Sequence, residues 1–290
     1  MSDTIEVTQL RLHNIAAIKP LLEALKTISL GSWQSSLRSL RRCDQYQNDI
    51  ARILSMLSPR TNSKQKPELP KSSLQYKLVV IGSGRGLCGK FNRLLADKVM
   101  KRSSELHEMG HQVTLQVIGA AVARLINLHL TPEIPVSVAP LPSSTRIHQA
   151  QAYALTWKSE YNAYDFDQIE VIFNKSRGAL SFTPTSLTVL PMEMPKNSKQ
   201  EVWPQPILDA DVNDLYLSIA DQMLGLSIYR LFLTSAIAEH SARFTLMEEA
   251  SKNANTLIED LTLDLQAMRR QMITQEMVGL AVGAGLLQLH

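Results

Sequence analysis

The chain has 290 residues, enough for one large domain or two ordinary ones, and 44% of them are hydrophobic, the proportion of a folded protein with a real core. Charged residues at 20% and aromatics at 6% exclude a disordered acidic chain and an aromatic-rich single-strand binder. A formal charge of +3, from 30 basic against 27 acidic side chains, is too even to build a phosphate-tracking field, so nucleic acid is not an expected partner.

The start of the chain, Met1 to Thr8, carries Asp3 and Glu6 and no apolar core, which is not the pattern of a secretory signal. From Leu21 to Ser58 there is no proline and only Gly31, so a helix is expected, and Pro20 means that it is kinked there or begins there. Leu22, Leu25, Trp33, Leu37, Leu40, Tyr46, Ile50, Ile53 and Leu57 offer it an apolar seam. It stops at Pro59, and the polar segment Arg60 to Ser73, with Pro67 and Pro70, reads as a linker.

The texture then changes to short β-rich runs at Tyr76 to Ile81, Gln112 to Ile118, Gln168 to Phe173 and Ser186 to Leu190, separated by helix-like segments such as Phe91 to His107. This alternation predicts an α/β unit with a mainly parallel sheet. Two proline-fenced loops, Pro132 to Pro142 and Pro191 to Pro206, complete it.

The first strand runs into Gly82-Ser-Gly-Arg-Gly-Leu-Cys-Gly-Lys90, a loop that nearly satisfies two nucleotide motifs. Gly84, Gly86 and Gly89 have the spacing of the dinucleotide fingerprint, yet the second strand is followed by Gly119-Ala-Ala, with no acidic residue for a ribose. Gly84, Gly89 and Lys90 imitate a P-loop, but Phe91 has no hydroxyl to hold magnesium. A glycine-built strand-to-helix turn is therefore expected, with no cofactor, and Arg85 and Lys90 leave the loop free to dock a protein.

From Ile207 to His290 there is no proline, and Gly225 is the only glycine before Gly279. Alternating steps of four and three from Leu233 visit Ile237, His240, Phe244, Met247, Ser251, Ala254, Ile258, Leu261, Leu265, Met268, Met272, Gln275 and Gly279, and ten of these fourteen positions are apolar. A seven-residue period held this long predicts a coiled coil rather than a helix laid broadly on a globule. A helix from Asp211 to Leu287 would be roughly 110 Å long, against a diameter of about 50 Å for a compact chain of this length. It is expected to project and to pair antiparallel with the N-terminal helix. The uncharged run Met277 to Leu289 has 13 residues, too few for the ~20 of a membrane span, so no insertion into a bilayer is expected; its end, Met277 to Leu287, is an oily tip that calls for a partner.

Histidines at 13, 107, 111, 129, 148, 240 and 290 show no metal-ligand spacing with Cys43 or Cys88, and the two cysteines read as free thiols. No serine lies in a nucleophile elbow, and His240, beside Glu239 on the seam, reads as packed or paired, so no catalytic residue is expected. Arg38, Arg41 and Arg42 read as a solvated helix face.

The last helix resembles the γ subunit of F-type ATP synthases through Ile228-Tyr-Arg-Leu, Ser235-Ala-Ile-Ala-Glu-His-Ser-Ala-Arg-Phe-Thr-Leu-Met247, Asn253-Ala-Asn, Leu257-Ile-Glu-Asp-Leu-Thr-Leu263, Arg269 and Ile273-Thr-Gln-Glu276. Arg85-Gly86-Leu87-Cys88-Gly89, followed by Phe91-Asn92, is similar to that family's signature after the first strand of its α/β domain, and Ala24-Leu-Lys26 is a weaker likeness at the start. The chain also resembles the γ subunits of the alternative, often sodium-linked, F-type enzymes.

The resemblance implies a long antiparallel coiled coil of the terminal helices with an inserted Rossmann-like α/β domain. It implies a non-catalytic rotor that couples ion flow through a membrane ring to ATP synthesis or hydrolysis on a hexamer of α and β subunits. The ε subunit and the membrane c-ring are further implied partners, and the implied place is peripheral, on the cytoplasmic side of an energy-transducing membrane such as a bacterial plasma membrane or a thylakoid. Arg269, Arg270, Thr274 and Glu276 fall where the family's shaft meets the β subunits, with Arg270 in place of the usual glutamine. Thr27 to Leu40, with Trp33, departs from the family's methionine- and lysine-rich sequence, and no cysteine pair stands in an inserted loop. The expected layout is helix over 1–58, linker over 59–75, α/β domain over 76–206 and helix over 207–290. Two rival functions are a nucleotide-dependent α/β enzyme using Gly82 to Lys90 and a coiled-coil adaptor outside energy conversion.

Overall fold

The long proline-free ends form helices and the β-rich middle forms a sheet in the computed structural model, which describes residues 2–57, 73–129, 134–141, 146–178, 181–192, 209 and 211–283. Most of the expected linker, parts of both proline-fenced loops and the last four residues of the oily tip lie outside these. The elements are α1 (Ser2–Leu57), β1 (Gln75–Ile81), α2 (Phe91–Glu108), β2 (Gln112–Ile118), α3 (Ala120–His129), β3 (Val136–Ala139), α4 (Ile147–Asn162), β4 (Gln168–Ser176), β5 (Phe182–Leu190) and α5 (Val212–Gly283). The chain divides into two units, Met1–Ser29 with Phe244–His290, and Leu30–Arg243. Among the described residues no helix is long and apolar enough to cross a membrane.

In the first unit α1 and α5 run antiparallel. Lys26 pairs with Glu248 at 3.6 Å, and the Ser251 hydroxyl donates to Glu23, so three residues back along α1 match three forward along α5. The α5 seam is as the heptads predict: Met247, Ser251, Ala254 and Leu265 are buried, and Phe244, Ile258, Leu261, Met268 and Met272 half-buried. Beyond Met272 the seam positions Gln275 and Gly279 are exposed. The α1 seam also steps by three and four, through Ile5, Thr8, Leu12, Ile15, Lys19, Leu22, Lys26 and Ser29, none of them exposed. Lys26 lays its charged end 5.8 Å from the centre of the Phe244 ring.

Pro20 neither starts nor ends α1, which passes through it; its side chain is exposed, where a missing N–H is least damaging. Water can serve the carbonyl that loses its donor.

In the second unit α1 and α5 are again antiparallel, joined by Arg230 to Asp44 at 2.6 Å and by Gln47 donating to Ser227 at 3.1 Å. Cys43, Ile50, Leu54 and Leu57 form a buried cluster with Tyr216, Ile219, Leu226 and Leu233. Two seam expectations fail: Tyr46 is 48% and Ile53 42% exposed. The buried row is Cys43, Ile50, Leu54 and Leu57, which keeps the heptad and leaves those apolar side chains off it. Asp211 caps α5, its Oδ1 accepting the N–H groups of Asn213 at 2.8 Å and Asp214 at 3.1 Å.

The sheet has the order β3-β2-β1-β4-β5, parallel except for β5. Along β1, Leu78 and Val80 enter the core with α2 and α3, while Val79 and Ile81 enter the core with α4 and α5. A strand covered on both faces must be apolar throughout, which is why this run is so continuous. Toward the start of the strands the sheet carries two ion pairs with buried members: Lys77 with Glu160 at 2.5 Å, and Arg102 clasping Glu170 at 3.0–3.2 Å. Edge strand β5 tolerates Pro184, since its outer side needs no donor.

Candidate functional site

Two regions carry the residues singled out by sequence, and each is built from one unit. The first is the loop between β1 and α2. The buried end of β1 delivers Gly82, whose N–H donates to Ile118 O at 2.9 Å. Next, Ser83 is fully buried, and its N–H donates to Asn92 Oδ1 at 3.0 Å. The Ser83 hydroxyl donates to Glu239 Oε1 on α5 at 2.8 Å. Arg243, one helical turn further on, donates to the same carboxylate oxygen at 2.6 Å and makes longer contacts to Ser83 Oγ at 3.3 Å and the Gly86 carbonyl at 3.5 Å.

The signature residues divide by role around this node. Cys88 and Asn92 are buried and joined by Asn92 Nδ2 donating to Cys88 Sγ at 3.4 Å. Burial pushes the Cys88 thiol pKa up, Glu239 adds to that and Arg243 opposes it. Phe91 has no exposed surface, lies against Phe182 with ring centres 5.5 Å apart and planes tilted by 56°, and offers its carbonyl to Asn174 Nδ2 at 2.9 Å. Arg85, Gly86, Leu87 and Gly89 are exposed. Leu87 sits at φ 62 and Gly89 at φ 57, left-handed conformations that glycine adopts freely and leucine does not.

A phosphate is poorly served here. The inner side of the loop meets the Glu239 carboxylate, an anion 6% exposed, and the Gly86 carbonyl is already turned toward Arg243. His240 packs beside this node, with Arg243 Nη1 3.4 Å from its Nδ1. Burial holds its pKa below the usual histidine range, against the pull of Glu239 and with the help of Arg243. A neutral ring can accept that contact.

The second region is the far part of α5. Arg269, Arg270, Thr274 and Glu276 are all exposed. Arg269 and Glu276 stand seven residues apart and share one face with Ile273; Arg270 and Thr274 share the neighbouring one. Arg270 Nε donates to Gln266 O at 3.3 Å and the Thr274 hydroxyl to Arg270 O at 2.9 Å, so both side chains lie along their own helix. Around them stand exposed apolar side chains, Ile273 at 52%, Met277 at 66% and Leu280 at 73%. The surface is thus oily with a few charges, suited to a partner that supplies carboxylates on an apolar wall.

Sequence reasoning reached both regions but missed Ser83, Glu239 and Arg243 as one cluster. The available signal was a Glu and an Arg four residues apart within a stretch of α5 that is otherwise largely apolar.

A family model described as ATP synthase matches residues 4–287. The ATP synthase gamma chain of Trichlorobacter lovleyi is 26% identical over 94% of this chain and 95% of its own length, and that of Desulforamulus reducens 23% identical over 96% and 97%. Among solved structures, a chain of the Euglena gracilis mitochondrial ATP synthase (OSCP/F1/c-ring) aligns with a TM-score of 0.64 and 17% identity over all of this chain and 98% of that one. A chain from the central stalk and c-ring of the Tetrahymena thermophila mitochondrial enzyme aligns with a TM-score of 0.57 and 16% identity over 80% and 99%.

Proposed function

This chain belongs to the ATP synthase family, and from that premise we infer that it is the gamma-type, central-stalk subunit of an F-type enzyme. What carries the reading is that the family match runs through both long helices and the sheet between them. A coiled-coil adaptor would share the seam alone.

On this reading the subunit's work is mechanical. A stiff, asymmetric rod that touches three otherwise equivalent catalytic subunits differently lowers the energy of a different state in each, and turning it exchanges those states. The nucleotide sites and catalytic groups then belong to partner subunits, and this chain contributes shape. The partners are the α and β subunits of the hexamer, the ε subunit and the membrane ring, and the place is peripheral, on the cytoplasmic side of the membrane that holds the ring. Arg269, Arg270, Thr274 and Glu276, exposed among apolar side chains, are the proposed contacts to the β subunits.

The test is co-expression with the α and β subunits of the same organism, with the tag on this chain. An ATP-hydrolysing assembly of all three is expected. Recovery of this chain without α and β, or tight binding of NAD or ATP by this chain alone, would overturn the assignment. Within the assembly, Arg269→Ala removes a charge-assisted contact worth about 1.5–3 kcal/mol. It is expected to slow or uncouple ATP-driven rotation while subunit stoichiometry stays intact; unchanged hydrolysis and ion pumping would remove Arg269 from the contact.

A further inference from the structure

The β1–α2 loop displays Arg85, Gly86, Leu87 and Gly89 to solvent with Leu87 in a left-handed conformation, and such a shape persists only where surrounding groups over-determine it. The groups that do so come from the loop itself, where the Arg85 N–H donates to Ser83 Oγ at 3.2 Å, and from three helices. Asn92, on α2, holds the Ser83 N–H and Cys88 Sγ, and Ala121, on α3, donates its N–H to the Ser83 carbonyl at 3.1 Å. From α5, Glu239 takes the Ser83 hydroxyl, and Arg243 reaches Glu239, Ser83 and the Gly86 carbonyl. Glu239 is 6% and Ser83 0% exposed, so water competes little for these bonds.

We propose that Glu239, working through Ser83 and Arg243, is a positioning residue by which α5 dictates the conformation of the exposed β1–α2 loop. The hydroxyl of Ser83 also approaches the Arg85 carbonyl, but it has one proton, and a carboxylate takes it in preference to an amide oxygen. Arg243 neutralises that carboxylate and ties the far side of the loop to the same turn of helix. In a stalk subunit, a twist of α5 thereby reaches the surface of the sheet domain, a consequence that rests on the stalk reading.

The chain's own thiols test the lock. Its two cysteines are both buried and free: Cys88 lies inside the loop, and Cys43 lies in the α1–α5 cluster of the same unit, donating to Leu226 O at 3.7 Å. Maleimide labelling of the full chain follows the population of locally opened states, so the two thiols report separately on loop and helix pairing. Ser83→Ala and Glu239→Gln are each expected to speed labelling of Cys88 about tenfold relative to Cys43, the effect of losing one buried charge-assisted hydrogen bond. The Glu239 charge also raises the Cys88 pKa, so rates are taken over a pH series and compared per thiolate. A rise in both thiols together would mean general loosening and would overturn the proposal. So would unchanged Cys88 access in Ser83→Ala, whose carboxylate is intact. The ratio reports on the lock alone, whereas recovery with the α and β subunits reports on the stalk reading, so either can fail without the other.

Discussion

At Gly82 the chain has room for a hydrogen and nothing larger, because a Cβ there would lie 2.2 Å from Val122 Cγ1 on α3. Gly82→Ala should therefore destabilise the sheet domain by about 1–3 kcal/mol through overpacking, measured by urea unfolding. The sequence showed a glycine-rich turn and its resemblance to a signature, but the reason for this glycine is a helix packed against the backbone from a later part of the chain, which no local pattern reveals. The same holds for Glu239, which pairs with a serine 156 residues away, a separation that heptad counting cannot see, whereas its neighbour His240, read from the seam as packed or paired, contacts Arg243 on its own helix. His240 is held neutral by burial, its folded pKa below 6.5. The unfolded chain binds this proton first as pH falls, so the stability tied to the neutral ring is full above pH ~6.5 and is lost toward the folded pKa, with a slope of at most ~1.4 kcal/mol per pH unit. Urea unfolding at pH 7.5 and 5.5 should show a smaller difference for His240→Gln than for the unaltered chain.

At the scale of the element, the α5 seam was the most legible feature because its apolar residues keep the heptad from Leu233 to Met272 with few interruptions. Its partner was half legible. In α1 the buried positions include Thr8 and Ser29, which hydropathy passes over, while Tyr46 and Ile53 attract notice and face water. The seam makes a sharp contrast testable. Leu265 is 5% exposed and Leu257 49%, both on the same stretch of α5. Leu265→Ala should cost about 2–5 kcal/mol as a cavity mutation, and Leu257→Ala no more than about 0.5 kcal/mol as a surface one. Equal losses in denaturant titrations would mean that α5 does not bury this seam. The shorter elements were hardest to see: β3 has four residues and one exposed edge, and α3 and α4 follow short or proline-fenced turns without strong start signals.

For the whole molecule, the order helix, α/β unit, helix was readable from proline and glycine placement together with the β-rich runs between the two ends, since punctuation and periodicity survive whatever the side chains later pack against. What sequence could not supply is how unevenly the chain is buried. Among the described residues the three large apolar clusters all fall within Leu30–Arg243. In the other unit Met247 and Leu265 are the only large apolar side chains buried among the described residues. Hydrogen exchange of the isolated subunit should therefore find the amides of β1 and β4 most protected, with those of residues 5–29 and 250–280 exchanging at least tenfold faster, since local opening there exposes less apolar surface. Uniform protection along α5 would contradict this.

Among the described residues, four of the six buried seam side chains of that leaner unit are small: Thr8, Ser29, Ser251 and Ala254. Side chains this small let two backbones run close together but withdraw little oil from water, so the paired helices have modest cohesion for their length. On the stalk reading proposed above, such a pair of helices would borrow rigidity from a partner that encloses it. Its melting temperature is then a property of the mixture: an enclosing partner at a hundred times its dissociation constant adds about 2.7 kcal/mol by mass action. A copy left unassembled is therefore expected to open more often and to be cut faster by an added protease than an assembled one.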